Sequence, residues 1–151
     1  MKVERLAELE IKLKAMANEA GRKGNVSVVV GYTQTYAVKV HEDLTARHKE
    51  GKEAKYLETP ARRLAPEIKR TVRREYAKTR DMEMSLLVGG LRLQRESQKI
   101  VPIDTSALKA SAYTALERDA EAASNAAFLR SEAVRIREEG MRAKKRAKKK
   151  S

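Results

Sequence analysis

The histidine and acidic side chains best suited to acid–base or metal chemistry form one short cluster. His41, Glu42, Asp43 and His48 follow an apolar segment, and the two histidines stand seven positions apart. A zinc-binding HExxH sequence needs its histidines four residues apart on one helical face, so this spacing does not fit that motif. We therefore expect no catalytic residue, no metal and no cofactor at this cluster.

Other signatures of catalysis are also missing from the sequence. The chain has no cysteine, which excludes a thiol nucleophile, thiolate metal ligands and a disulfide framework and is typical of a reducing cytoplasm. It contains no GxSxG elbow, no P-loop and no GxGxxG fingerprint, and Gly89-Gly90 lies within a helical pattern. We predict that the protein is not an enzyme. If an unrecognised site existed, changing His41 or Glu42 would abolish activity while assembly persisted.

Positive charge is the main feature of the composition. The chain has 34 Lys and Arg against 21 Asp and Glu, a net charge of +13. One basic block lies between residues 62 and 80, where helical spacing separates cations from an apolar side, and another fills the last ten residues. The candidate contacts to DNA or an acidic partner are Arg62, Arg63, Lys69, Arg70, Arg73, Arg74, Arg80, Lys144, Lys145, Arg146, Lys148, Lys149 and Lys150. The alternative is a solvated surface whose charges have no partner.

Any DNA contact is expected to involve only the phosphate backbone. The sequence shows no zinc-finger spacing, no RNP-type aromatic motif and no convincing helix-turn-helix pattern, and it has few aromatic residues for base stacking. These absences do not favour base-specific recognition.

The apolar pattern predicts an α+β fold in which a small, mainly antiparallel sheet packs against long helices. A helix is expected over residues 6–20, then a β-hairpin with strands at 26–32 and 36–40 around a turn at 33–35. Thr59 and Pro60 begin the next helix, with a kink or short turn near Pro66. A helix over 81–100, a third strand over 110–116 and an Ala-rich helix from residue 120 complete the order α, β, β, α, α, β, α.

Length and composition predict one domain over residues 1–140 and a basic C-terminal tail over 141–151. With one Phe and no Trp, the core must be thin, so subunit assembly would supplement it. We expect the tail either to insert into a neighbouring subunit or ring, or to continue the preceding helix. No signal peptide or membrane-spanning run is visible, so no membrane partner is expected.

A long polar loop is predicted from Asp43 to Ala54, and in a ring-forming protein it would contact a neighbouring subunit. The candidate contact residues in and beside this loop are Asp43, Arg47, His48, Lys52 and Lys55. The alternative is an unattached solvent loop.

Two segments of the chain resemble a known family. They are GYTQTYAVKVHE followed by HKEGKEAKYLETP at residues 31–60, and VPIDTSALKASAY at 101–113. They are similar to the neck and tail-completion proteins (minor capsid, head–tail connector proteins) of tailed bacteriophages, in which "GY…YAVYVHE…H…GKAKFLE.P" and "P-V-D-T-G-x-L-R-A-S" recur. Here Ser106 stands where the family usually has Gly, and the second segment follows the first instead of preceding it.

The resemblance implies a structural virion protein that forms a sixfold or twelvefold ring of identical copies around the DNA channel. Such a ring would join the portal side of the head to the tail and contact adjoining portal, adaptor or tail proteins. It would act in the virion neck after synthesis in the host cytoplasm, as a stopper, tail terminator or portal adaptor. The resemblance also implies that His41 and Glu42 anchor the following loop by hydrogen bonds. The alternative function is that of a sequence-independent nucleic-acid-binding accessory protein.

Overall fold

The computed structural model describes residues 9–14, 26–34, 37–43, 54–102 and 106–150. Its elements are β1 (Leu9–Lys14), β2 (Ser27–Tyr32), α1 (Ala37–Glu42), α2 (Glu58–Thr79), α3 (Met82–Ile100), α4 (Ser106–Ala110), β3 (Ala112–Leu116), a 3-10 turn (Glu117–Asp119) and α5 (Ala120–Lys150). The predicted α+β class, a small antiparallel sheet packed against long helices, is confirmed.

The sheet has three strands in the order β1-β2-β3, and both pairings are antiparallel. In the register, Val30 of β2 lies opposite Ile11 of β1 and Thr114 of β3. Strand β2 is central, and every one of its six residues is buried. A strand buried on both faces reads as a nearly continuous apolar run, which fits the Val-rich sequence of β2.

Helices cover both faces of the sheet. Alternate residues of a strand point to opposite faces, so Val28, Val30 and Tyr32 join the larger core beneath α2 and α3. Val29 on the other face packs with Tyr113 of β3 and Ala127 of α5. The layers therefore run α2, α3, sheet, α5.

Two consecutive glycines allow α3 to fit between α2 and the sheet. A Cβ on Gly89 would lie 2.8 Å from Cγ2 of Val72 on α2. A Cβ on Gly90 would lie 2.7 Å from Cγ2 of Thr114 and 2.9 Å from Cγ1 of Val28. Close packing occurs on two sides of this pair at once, because neighbouring helical positions face different layers.

The structure corrects the first part of the predicted element order. Residues 9–14 form a strand, so the predicted helix over 6–20 is wrong there, and the rest of that helix lies outside the described residues. Residues 37–42 form helix α1, so the second hairpin strand is also wrong. Both edges of β2 are already paired, with β1 and β3, which leaves no edge for a hairpin partner.

Helix α1 has its own physical basis. Ala37 and His41 are one helical turn apart, and both are buried. The Tyr56 hydroxyl donates to the Ala37 carbonyl at 2.7 Å, and the Ala37 N–H donates to the Gln34 carbonyl at 3.0 Å. Burial of Ala37 and His41 on one helical face therefore outweighs the apolar alternation that predicted a strand over residues 36–40.

The later long helices and the third strand occur in the predicted order, but the strand begins at Ala112 instead of residue 110, because residues 106–110 form helix α4, which was not predicted. Helix α2 is continuous from Glu58 to Thr79 although it contains Pro66. The residues directly before Pro66 are therefore helical and form no separate short turn. Helix α2 ends at Thr79 and is followed by Arg80, whose φ of 55° is left-handed, and Asp81 then caps α3 by accepting from the Met84 N–H at 3.1 Å. Helix α5 continues through the predicted basic tail to Lys150.

Candidate assembly junction and cationic surfaces

Two backbone segments far apart in sequence meet at the end of β2. The Thr33 N–H donates to the Ser111 carbonyl at 3.3 Å and lies 3.2 Å from the Ser111 Oγ. The Thr33 hydroxyl donates to the same carbonyl at 3.4 Å. Both residues are buried, and the adjacent pair Tyr32 and Ala112 lie opposite each other in the sheet. This contact joins a residue of segment 31–60 to a residue of segment 101–113.

A buried chain of polar groups continues from this contact into α5. The Gln34 side-chain amide donates to the Ser131 Oγ at 2.6 Å and to a Glu132 carboxylate oxygen at 3.2 Å. The Ser131 hydroxyl in turn donates to the Ala107 carbonyl of α4 at 2.5 Å. Because buried polar groups are costly unless they are paired, this chain fixes the relative positions of β2, α4 and α5. We call Thr33, Gln34, Ser111 and Ser131 the junction.

The sequence analysis did not identify the junction residues as functional. Thr33, Gln34 and Ser111 lie within the two resembling segments, and that resemblance is the only signal that pointed near them. Ser131 had no such signal, because its partners are far away along the chain.

His41 is buried, and both of its ring nitrogens are engaged. Nε2 accepts from the Glu58 N–H at 3.2 Å, so the ring proton of the neutral imidazole lies on Nδ1. Nδ1 donates to the Glu42 carboxylate at 2.9 Å. The ring also packs edge-on against Tyr56, with centroids 5.1 Å apart. The imidazole therefore has no lone pair left for a metal ion.

Lys55 supplies the positive charge between the neighbouring carboxylates. Its ammonium group pairs with Glu42 and lies 3.5 Å from a Glu58 carboxylate oxygen. The hydrogen bond from Lys55 lowers the pKa of Glu42, and the same bond raises the pKa of Lys55. Ligand atoms of His41, Glu42 and Glu58 lie within 4.8 Å of one another, but an internal ammonium already occupies this cluster. Its chemistry is that of an ion-paired structural anchor.

The same cluster ties together the two ends of the segment predicted as a subunit-contact loop. The Lys55 N–H donates to the His41 carbonyl at 2.6 Å, and Lys55 adopts a left-handed φ of 56°. Among the predicted contact residues, Arg47, His48 and Lys52 lie outside the described residues. Asp43 and Lys55 are described, and the ammonium group of Lys55 is directed to its own acidic partners.

The cationic side of α2 lies opposite its buried side. Leu64, Ile68 and Val72 enter the core, whereas the predicted cations Arg62, Arg63, Lys69, Arg70, Arg73, Arg74 and Arg80 are all exposed. Glu67 is drawn toward α3, where Arg92 donates to its carboxylate at 2.6 Å. Glu67 therefore interacts with α3 and does little to neutralise the exposed cations of α2.

The second cationic surface is the end of α5, where residues 141–150 are helical and every one of them is exposed. The predicted residues Lys144, Lys145, Arg146, Lys148, Lys149 and Lys150 all belong to it. Helix α5 lies on one face of the sheet, whereas α3 separates α2 from the other face. The fold therefore places the two basic sets on different layers and does not merge them into one surface.

Comparison of the chain with protein-family models, with curated proteins and with solved structures finds no match. Within the described ranges, no helix combines the length and the apolar character that a bilayer crossing requires.

Proposed function

We propose that this chain is a structural protein of a tailed-phage virion, a ring-forming neck component that joins the portal side of the head to the tail around the DNA channel. The observation that carries the proposal is the contact between Thr33 and Ser111. It brings together the two segments that resemble neck and tail-completion proteins, and it makes them parts of one buried junction. Hydrogen-bonded Ser, Thr and Gln side chains at such a place suit a scaffold that holds its elements in fixed positions.

The two separated cationic surfaces support a ring protein that contacts a different partner on each surface. In a ring, one basic surface would face the DNA or an acidic adjoining ring, and the other would face a second partner. The partners proposed are further copies of this chain, in sixfold or twelvefold symmetry, and adjoining portal, adaptor or tail proteins. Exposed ion pairs are individually weak, so the ring would depend on contacts repeated around its axis.

The test is deletion of the gene in the phage that carries it, followed by electron microscopy of the lysate. We expect separate heads and tails, with joined particles restored by the wild-type chain supplied in trans. In intact particles, a reconstruction should place the chain between portal and tail in a closed ring. Infectious particles of normal appearance that lack the chain would overturn the proposal.

A sequence-independent nucleic-acid-binding role is the second candidate, and the exposed basic end of α5 favours it. Duplex binding by the purified chain should then be tight and should weaken steeply as salt rises. A chain truncated after Met141 would lose most of this binding. Weak DNA binding together with presence in purified virions would favour the neck component instead.

A further inference from the structure

The outward side of α5 carries an apolar stripe that no described part of the chain covers. Leu129 and Ile136 are 69% and 61% exposed, although both are large aliphatic residues. They belong to a series spaced alternately by four and three residues, and every member is exposed. The series is Ala122, Ala126, Leu129, Ala133, Ile136, Gly140, Ala143 and Ala147. We call it the outer stripe, and its spacing is the seven-residue repeat of a coiled coil.

The outer stripe points away from the body of the protein. Ser124 and Ser131, seven residues apart, are buried on the inner side of α5, and Ala127 packs there on the sheet. In the seven-residue repeat these serines occupy the position farthest from the outer stripe. At Gly140, a Cβ would meet nothing within 4 Å, so packing within the chain does not require glycine there. A small residue at this point would let a second helix approach closely.

The charges beside the outer stripe select both a partner and a direction. One flank carries Glu132 and Glu139, which within the chain share Arg135 at 2.7 Å each, and the other carries Arg130, Arg137 and Lys144. When two such helices run parallel, a residue on the first flank meets the residue five positions later on the second flank of the other helix. That geometry pairs Glu132 with Arg137 of a second copy, and Glu139 with Lys144. An antiparallel pair would instead place acidic flank against acidic flank and basic against basic.

We propose that α5 associates in parallel with α5 of a second copy of this chain through the outer stripe. The proposal goes beyond ring formation, because it assigns a particular contact and orientation and can be tested on the purified protein alone. Parallel association also brings two basic ends side by side, and their repulsion opposes pairing. We therefore expect stronger association when three lysines off the outer stripe are neutralised. The variant is Lys145→Gln, Lys148→Gln, Lys149→Gln.

The absence of native cysteine makes the orientation directly measurable. Ala133→Cys places a single thiol on the outer stripe. In a parallel pair, mild oxidation should join this thiol to the thiol at the same position of the second copy. Lys145→Cys, on the opposite side of the same helix and also exposed, is the matched control and should cross-link far less. Equal cross-linking of the two variants would overturn the proposal.

Charge exchange tests the partner flanks. Glu139→Lys or Lys144→Glu alone should weaken self-association measured by analytical ultracentrifugation, and the double exchange should restore it. In an antiparallel pair, where like flanks meet, each single exchange would instead relieve a like-charge contact and strengthen association. Ile136→Glu should weaken association by about tenfold or more while leaving the circular dichroism of the chain unchanged, because Ile136 is exposed in the single chain. A wild-type chain that sediments as a monomer under all salt conditions would overturn the proposal. Normal virion rings that contain Ile136→Glu would also overturn it, and they would leave the proposed neck function intact.

Discussion

The hydroxyl of Tyr32, at the end of the central strand, shares a buried hydrogen bond of 2.7 Å with the Oγ of Ser97 on α3. Burial raises the pKa of the Tyr32 hydroxyl, so that group stays protonated. The bond fixes α3 on the sheet at the end farther from the two glycines. It lies in the same core that contains Tyr56, whose ring stands edge-on to Tyr32 at 5.0 Å.

Removing that hydroxyl should destabilise the fold. Tyr32→Phe leaves the Ser97 hydroxyl without its tyrosine partner in a buried place, and we expect a loss of about 1–2 kcal/mol in the free energy of unfolding. Urea denaturation measures it. In a double-mutant cycle with Ser97→Ala, the second substitution should add little to the first. Simple additivity would show that the bond contributes nothing.

Gly90→Ala should also destabilise the fold, even though alanine is the better helix former. The new methyl group would collide with Thr114 and Val28 at distances below 3 Å, and overpacking of this kind costs about 1–3 kcal/mol. Gly140→Ala is the matched control, because its methyl group meets open space, and it should increase helical content. Thermal unfolding followed by circular dichroism compares the two, and a stabilised Gly90→Ala would contradict the packing described here.

The pH dependence of stability should include a contribution from Glu138. The Ser106 N–H and hydroxyl both donate to one Glu138 oxygen, and these bonds lower the pKa of Glu138 from its ordinary 4.5. A carboxylate with a lowered native pKa stabilises the fold above its unfolded pKa and loses that effect as pH falls through the native value. Glu138→Gln should therefore be less stable at neutral pH and should show a shallower acid limb in urea midpoints. Ser106→Ala, which keeps the backbone donor, should be intermediate, and an unchanged acid limb in Glu138→Gln would refute the assignment.

Zinc should not stabilise the protein through the His41 cluster. Both nitrogens of His41 are engaged, and Lys55 neutralises the adjoining carboxylates. The unfolding temperature should therefore be the same with zinc and with a chelator. A rise with zinc that disappears in His41→Asn would show that the metal displaces Lys55.

The parts of the fold that were predicted correctly depend on long local patterns. In α2, the buried Leu64, Ile68 and Val72 recur at helical spacing over several turns, so neighbours in sequence suffice to define the helix. Residues 9–14 are different, because Leu9, Ile11 and Leu13 fit alternation while Leu9 and Leu13 also fit a helical turn. Pairing with β2 decides between the two, and a long-range partner is not visible in a local pattern.

The candidate surfaces divide in the same way. The exposed cations of α2 follow from one amphipathic helix, and their exposure agrees with the sequence pattern. The junction does not follow from any local pattern, because Gln34 and Ser131 become partners only when α5 folds back across the sheet. Neutral Ser and Gln side chains carry little signal in sequence, since most of them lie in water.

Gly140 stands where α5 passes from its inner contacts to the exposed residues 141–150. Glycine in a helix costs about 1 kcal/mol relative to alanine, so the helical conformation of α5 is least favoured at this position. The ten residues beyond it span about 15 Å as a helix, and they can fray without opening the core. The densest positive charge of the protein therefore lies on a helical end whose order is independent of the stability of the domain. A partner that binds this end can hold it in helical form without any change in the rest of the fold.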